Sequence, residues 1–321
     1  MLRSVPLTSF PTFHSRGVPN MSLARRSVGG YRKSFRRGGR SYRSRRKVKR
    51  TIRRRRTFRR RTMSTRKVLN ITSRKKCDNM MPIVVAEDSA VTTGPYVSST
   101  PLLCVFVPNA RTTRTPVTNP AVRNSSDIFA VGYKEKVRID VRGGSTLMWR
   151  RVVFMLKGDD LRRFLDSSDA GNIPNQLFDQ TTEGGCRRVI GPFEGVTNAQ
   201  TELQKYVFRG QADVDWADQF TAPLDTRRIT VKSDKVRTIR PGNDAGASRC
   251  YRMWYPIRRT ISYEDDMESD VVGDRAFSTA GLRGVGDMYV MDIIGITNGN
   301  GQTPLTEYTF APEGAFYWHE R

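Results

Sequence analysis

Apolar positions fall into short runs that begin after Pro82. Residues 83–86, 102–107 and 128–133 are compact apolar segments of strand length. Val137, Ile139 and Val141 alternate with Arg138 and Asp140, the period of a half-buried strand. Residues 147–156 form a longer run of β-forming side chains interrupted by Arg150 and Arg151. Further strands are predicted at 206–209, 228–231, 235–240, 251–255, 260–263, 288–294 and 315–318. Helical periodicity is confined to 160–165 and 199–206. The stretches 109–127 and 166–200 carry Pro, Gly, Asn and Ser clusters and are expected to be long polar connections. About ten short strands with long loops and little helix favour an all-β antiparallel sandwich or jelly roll over an α/β fold. Periodicity alone does not choose between those two.

The chain before Pro82 follows another grammar. Between residues 25 and 61, 20 of 37 residues are Lys or Arg. Such a stretch cannot bury enough apolar surface to offset its ordering entropy, and its charges repel. It is expected to be disordered when alone. Of the 321 residues, 56 are Lys or Arg and 31 are Asp or Glu, a net charge of +25. From Met1 to Cys77 there are 27 Lys/Arg and no acid; the rest has 29 against 31, a net of −2. The expected organisation is therefore a basic arm over 1–77 and a nearly neutral β domain over 78–321.

Several chemistries lack their residues. The two histidines are His14, in the arm, and His319, near the end. A histidine metal pair or a His-based triad would need His319 to fold back, so neither catalytic nor metal residues are assigned. No Gly-Lys dipeptide supports a P-loop and no Gly-x-Gly-x-x-Gly a dinucleotide site, so no cofactor is expected. Gly158-Asp159-Asp160 reads as a turn before a short helix. Asp213, Asp215 and Asp218 flank Trp216 without a catalytic lysine motif and read as a loop. Glu264, Asp265, Asp266, Glu268 and Asp270 match no EF-hand spacing; a solvated loop or an inter-subunit ion pair is expected there. Cys77, Cys104, Cys186 and Cys250 form no C-x-x-C pair and are expected to be reduced. No apolar run approaches the ~18 residues of a membrane helix and no secretory h-region opens the chain, so no membrane partner is expected. The Arg run is too dense for the amphipathic helix of a transit peptide.

The strong signal is the arm. Arg36, Arg37, Arg40, Arg43, Arg45, Arg46, Arg50, Arg53, Arg54, Arg55, Arg56, Arg59, Arg60 and Arg61 are candidate DNA contacts. Guanidinium forks pair bidentately with phosphate and stay charged at any cellular pH. Tyr31, Phe35, Tyr42 and Phe58 are interleaved among them and are candidates to stack on unpaired bases, at ~1–3 kcal/mol per base. Without a scaffold to read base edges, binding should be sequence-independent and salt-sensitive. The same clusters suit nuclear import signals.

Four segments carry a resemblance. They are MSTRKVLNITSRKKCDNMM at 63–81, SDKVRTIRPGND at 233–244, WYPIRRTISYEDD at 254–266 and GDMYVMDIIGI at 286–296. Behind an Arg-rich arm, they resemble the capsid proteins of genomoviruses, the gemycircularvirus group in particular, from about Tyr31 to the C-terminus. The resemblance implies a single viral jelly roll with long loops. It implies an icosahedral T=1 shell of about 60 copies of one protein and an inward arm on a circular single-stranded DNA genome. It implies host nuclear import receptors as further partners, with location in the virion and, during assembly, the host nucleus. It supplies no catalytic residue, and no enzyme activity is expected. Two rivals remain: a cellular nucleic-acid-binding protein with a basic tail, and a nuclease using the acids around Trp216.

Overall fold

A computed structural model of the chain describes residues 63–85, 91–113, 119–165, 177–191, 197–265, 267–268, 271–272, 275–297 and 307–321. All lie in one compact unit that starts at Arg61. The principal strands are β1 (Arg74–Met80), β5 (Leu102–Phe106), β6 (Asp127–Val141), β7 (Thr146–Leu156), β10 (Thr230–Ile239), β11 (Ala247–Ser262), β14 (Asp287–Thr297) and β15 (Tyr308–Glu320). Short strands are β2 (Pro82–Val85), β3 (Val91–Thr93), β4 (Tyr96–Ser98), β8 (Asp179–Gln180), β9 (Cys186–Ile190), β12 (Met267–Glu268) and β13 (Val271–Val272). Helices are α1 (Thr65–Thr72), α2 (Asp160–Leu165) and α3 (Thr197–Val207).

Two antiparallel sheets form an all-β sandwich. One runs β1-β15-β6-β11, with β4 on the far end of β15; the other runs β10-β7-β14-β5. Counting the eight principal strands in chain order, the sheets read 1-8-3-6 and 5-4-7-2. A third sheet, β3-β2-β9-β8, includes the parallel pair β2/β9.

Period-2 patterning explains the layers. On β6, Ile128, Ala130, Val137, Ile139 and Val141 are buried while Lys134, Lys136 and Arg138 are exposed. β7 is buried on both faces. Trp149, Val153 and Met155 enter the space between the sheets. Val152, Phe154 and Leu156 face outward, where Leu161 of α2 and Leu203 and Val207 of α3 cover them. The interior between the sheets holds two apolar clusters. One surrounds Phe106, Tyr133, Val153, Val290 and Trp318; the other surrounds Cys104, Val137, Trp149, Ile294 and Phe310.

Several boundaries differ from expectation. The fold begins before residue 78: β1 starts at Arg74 and Lys76 is buried, so 74–77 belong to the β domain and not to the arm. Residues 206–209 are not a strand, because Tyr206 and Val207 finish α3. The segments at 251–255 and 260–263 are one strand, β11, bent by a bulge between Pro256 and Arg259 with Arg258 at φ 53°. Residues 128–133 and 137–141 likewise merge into β6. The helix at 160–165 is α2, behind a turn in which Gly158 has φ 104°. Among the described residues, no helix is long and apolar enough to cross a membrane.

Candidate nucleic-acid interface

The candidate DNA contacts Arg36 to Arg61 and the stacking candidates Tyr31, Phe35, Tyr42 and Phe58 lie outside the described residues. So do His14, Asp266 and Asp270. What the structure describes is the anchor from which that segment departs. Ser64 caps α1, its hydroxyl accepting from the Lys67 amide. β1 then pairs with β15 from Arg74↔Glu320 to Met80↔Gly314.

The inward side of β1 is held by ions. Lys76 Nζ lies 2.8 Å from Glu320 and donates to the Val122 carbonyl at 2.6 Å. Glu320 also accepts from the Trp318 indole N–H at 2.8 Å. Asp78 accepts from the Cys186 amide at 2.8 Å and faces Arg111 at 3.5 Å. Burial lifts the Asp78 carboxyl above its ordinary value despite Arg111. The Arg111 guanidinium stacks on the Trp318 ring at 4.3 Å. These contacts fix the root of the basic segment with an edge strand that cannot slip register.

A second ionic layer lies between the two apolar clusters. Glu135 (β6), Arg151 (β7), Arg188 (β9) and Asp292 (β14) are all fully buried. Arg151 forks onto Asp292 at 2.6 and 2.8 Å and pairs with Glu135. Arg188 donates to Glu135 at 3.0 Å and to Asp292 at 2.7 Å. Two carboxylates and two guanidiniums cancel. Burial alone would raise the Asp292 carboxyl, but Arg151 and Arg188 hold it below its ordinary value. The layer is enclosed, and nothing in it is placed to meet a ligand; its role is to lock four strands from three sheets.

Three of the acids singled out in the sequence, Asp265, Asp215 and Asp218, have partners within the chain. Asp265 is neither solvated nor reserved for a neighbouring subunit: Arg123 forks onto it at 2.5 and 3.0 Å and lies over Tyr263. That is a correction, since the partner is within the chain. Asp215 accepts from the Gln211 amide at 2.8 Å and Asp218 from the Phe220 amide at 2.9 Å, so both close turns. His319 faces outward from β15 beside Phe129, its ring centroid 6.0 Å away. Partial burial and Lys75 across the strand pair lower its pKa. Among the described residues, no group of three or more His, Cys, Asp or Glu could hold a metal.

One surface is not among the sequence candidates. Lys134, Lys136 and Arg138 repeat every second residue on β6 and point away from the core, with Arg252 and Trp254 beside them on β11. The period of these cations is visible in the sequence as the complement of the apolar face. Their pairing with β11 is not, because it joins residues more than a hundred positions apart.

A scan of protein-family models and a search of curated proteins found no match to this chain.

Proposed function

We propose that the chain is a structural coat protein that packages circular single-stranded DNA, its β domain a jelly roll and its N-terminal arm the main DNA contact. One observation carries the reading. A segment with 27 cations and no acid continues into a body of net charge −2 whose eight strands are ordered 1-8-3-6 and 5-4-7-2. That order is what two Greek keys give when wrapped into facing sheets, an architecture used by capsid domains. A near-neutral body lets identical copies pack side by side without mutual repulsion. The arm then neutralises phosphate inside the shell. With about 60 copies in a T=1 icosahedron, the arms bring roughly 1,600 positive charges, matching a genome of roughly two thousand nucleotides after residual counterions. Nuclear import receptors reading the same Arg clusters, and a virion location, follow from this reading.

Sedimentation velocity of the full chain, followed at 260 and 280 nm, tests it. The expected result is a megadalton boundary carrying nuclease-protected DNA. A boundary near 36.5 kDa that stays there when single-stranded DNA is added would instead favour a monomeric nucleic-acid-binding protein with a basic tail.

A further inference from the structure

The two sheets of the sandwich have different outer faces. The outer side of β10-β7-β14-β5 is covered by α2, α3 and the residues that follow them. Among the described residues, no element covers the outer side of β1-β15-β6-β11. That face is basic. Lys134, Lys136 and Arg138 stand along β6 at ~6.8 Å intervals, and Lys75 and Arg252 stand on the flanking edge strands. The register sets Lys136 directly opposite Arg252, a like-charge pair that costs stability unless an anion offsets it. The acids on the same face are Glu313, opposite Lys136, Asp140, which Arg138 engages at 3.1 Å, and Asp127 at the end of β6. Five cations against three acids, with four of the cations around 134–138, make a basic patch in a body whose net charge is −2.

Aromatic rings are set among these cations. Trp254 is 44 % exposed and Phe129 43 % exposed. The Trp254 indole lies across Gly132, where a Cβ would come within 2.8 Å of the ring. Tyr317 meets it edge-on, centroids 5.9 Å apart at 63°. One side of the indole is therefore fixed against the sheet. A groove of about 350 Å³ lies on the same face, with Asn79, Lys134, Lys136, Glu313 and Tyr317 in its walls; Tyr317 joins it to Trp254.

We propose that this open face is a second single-stranded DNA-binding surface, in which Lys134, Lys136, Arg138 and Arg252 take phosphates and Trp254 stacks on a base. The chemistry favours this occupant over the alternatives. A flat exposed ring among cations needs a free base face, which a duplex hides. Protein interfaces are depleted of lysine at their centre, and here lysines occupy the middle strand.

All four tryptophans, Trp149, Trp216, Trp254 and Trp318, lie in the β domain, and Trp149 and Trp318 are fully buried. Trp254 is the most exposed of the four, at 44 %. The experiment is a titration of the full chain with oligo(dT), reading tryptophan fluorescence across a salt series. Saturable quenching is expected, reduced by at least half in Trp254→Phe. A Lys134→Ala/Lys136→Ala/Arg252→Ala variant should lower the slope of log K against log salt by about 2, at ~0.7 for each phosphate no longer neutralised. Quenching in Trp254→Phe equal to that of the parent chain, or an unchanged slope in the triple variant, would overturn the proposal. Tighter binding of oligo(rU) or of duplex with the same quenching would overturn the choice of single-stranded DNA. Shell formation with unaltered Trp254 emission would remove this surface and leave the coat-protein reading standing.

Discussion

Gly314 stands opposite Glu135 across the β15/β6 pair, and its missing Cβ gives Tyr133 room to reach that carboxylate. The Tyr133 hydroxyl donates to Glu135 at 2.9 Å, and a Cβ at 314 would sit 2.2 Å from that oxygen. Gly314→Ala should therefore displace a fully buried phenol and cost ~1–3 kcal/mol, read as a lower urea midpoint at constant m. The cysteines separate by environment in the same way. Burial pushes the Cys104 and Cys186 thiols up to about 12, and raises Cys77 as well, whereas Cys250 is exposed. Only the thiolate reacts, so iodoacetamide at pH 8 should label Cys250 first, Cys77 slowly, and Cys104 and Cys186 after unfolding. Labelling of Cys104 in the native chain at the rate of Cys250 would contradict this burial pattern.

At the level of elements, how much the sequence reveals depends on what fills the inward positions. Where Val, Ile, Leu and aromatics fill them, as on β5, β6 and β14, the predicted strands lie close to the observed ones. The elements that escape prediction carry ions inward. β1 turns Lys76 and Asp78 toward the core, and β9 turns in Arg188, so the first reads as the end of the basic arm and the second as polar connection, although each is a paired strand. Arg150 and Arg151 look like an interruption of β7 and are instead its two best-anchored side chains, one to Asp234 and one to Asp292. Pairing between residues far apart in sequence is invisible to any local period, which is why the ionic layer could not be foreseen. Its energetics are testable. Arg151→Met leaves two buried carboxylates with one guanidinium and should cost ~3–5 kcal/mol. Acid titration distinguishes the buried aspartates. Asp292 is held below its ordinary value, so its contribution is complete above about pH 4 and is lost as pH falls through its lowered folded value. Asp287 is shifted the other way by burial, despite donors from Asn109 and Ser278, so its charge works against folding at neutral pH. Asp287→Asn should hold or gain stability at pH 7, whereas Asp292→Asn should lose it. Urea unfolding of both variants at pH 7 and pH 4 checks the two signs, and a destabilised Asp287→Asn with an unaffected Asp292→Asn would reverse the assignment.

For the whole molecule, the decisive quantity is how charge is divided along the chain. Twenty Lys/Arg lie within residues 25–61, while the remainder from 78 on is almost neutral. Non-specific attraction to a single strand scales with the number of phosphates neutralised, with log K falling by ~0.7 per phosphate for each decade of salt. A chain lacking residues 1–61 begins one residue into the compact unit, so it keeps α1, every described strand and the ion pairs that fix β1. It should unfold with the same cooperativity as the full chain, yet bind oligo(dT) about a hundredfold more weakly at 150 mM salt. Its remaining binding should have a shallow salt slope and still quench Trp254, because the open sheet face keeps its cations. On the proposed coat-protein reading, particles assembled from it should be empty, since the arm's charge has gone while the β domain is kept. Equal affinity of the truncated and full chains at that salt would move the whole of DNA binding onto the β domain and leave the arm without its assigned part in packaging.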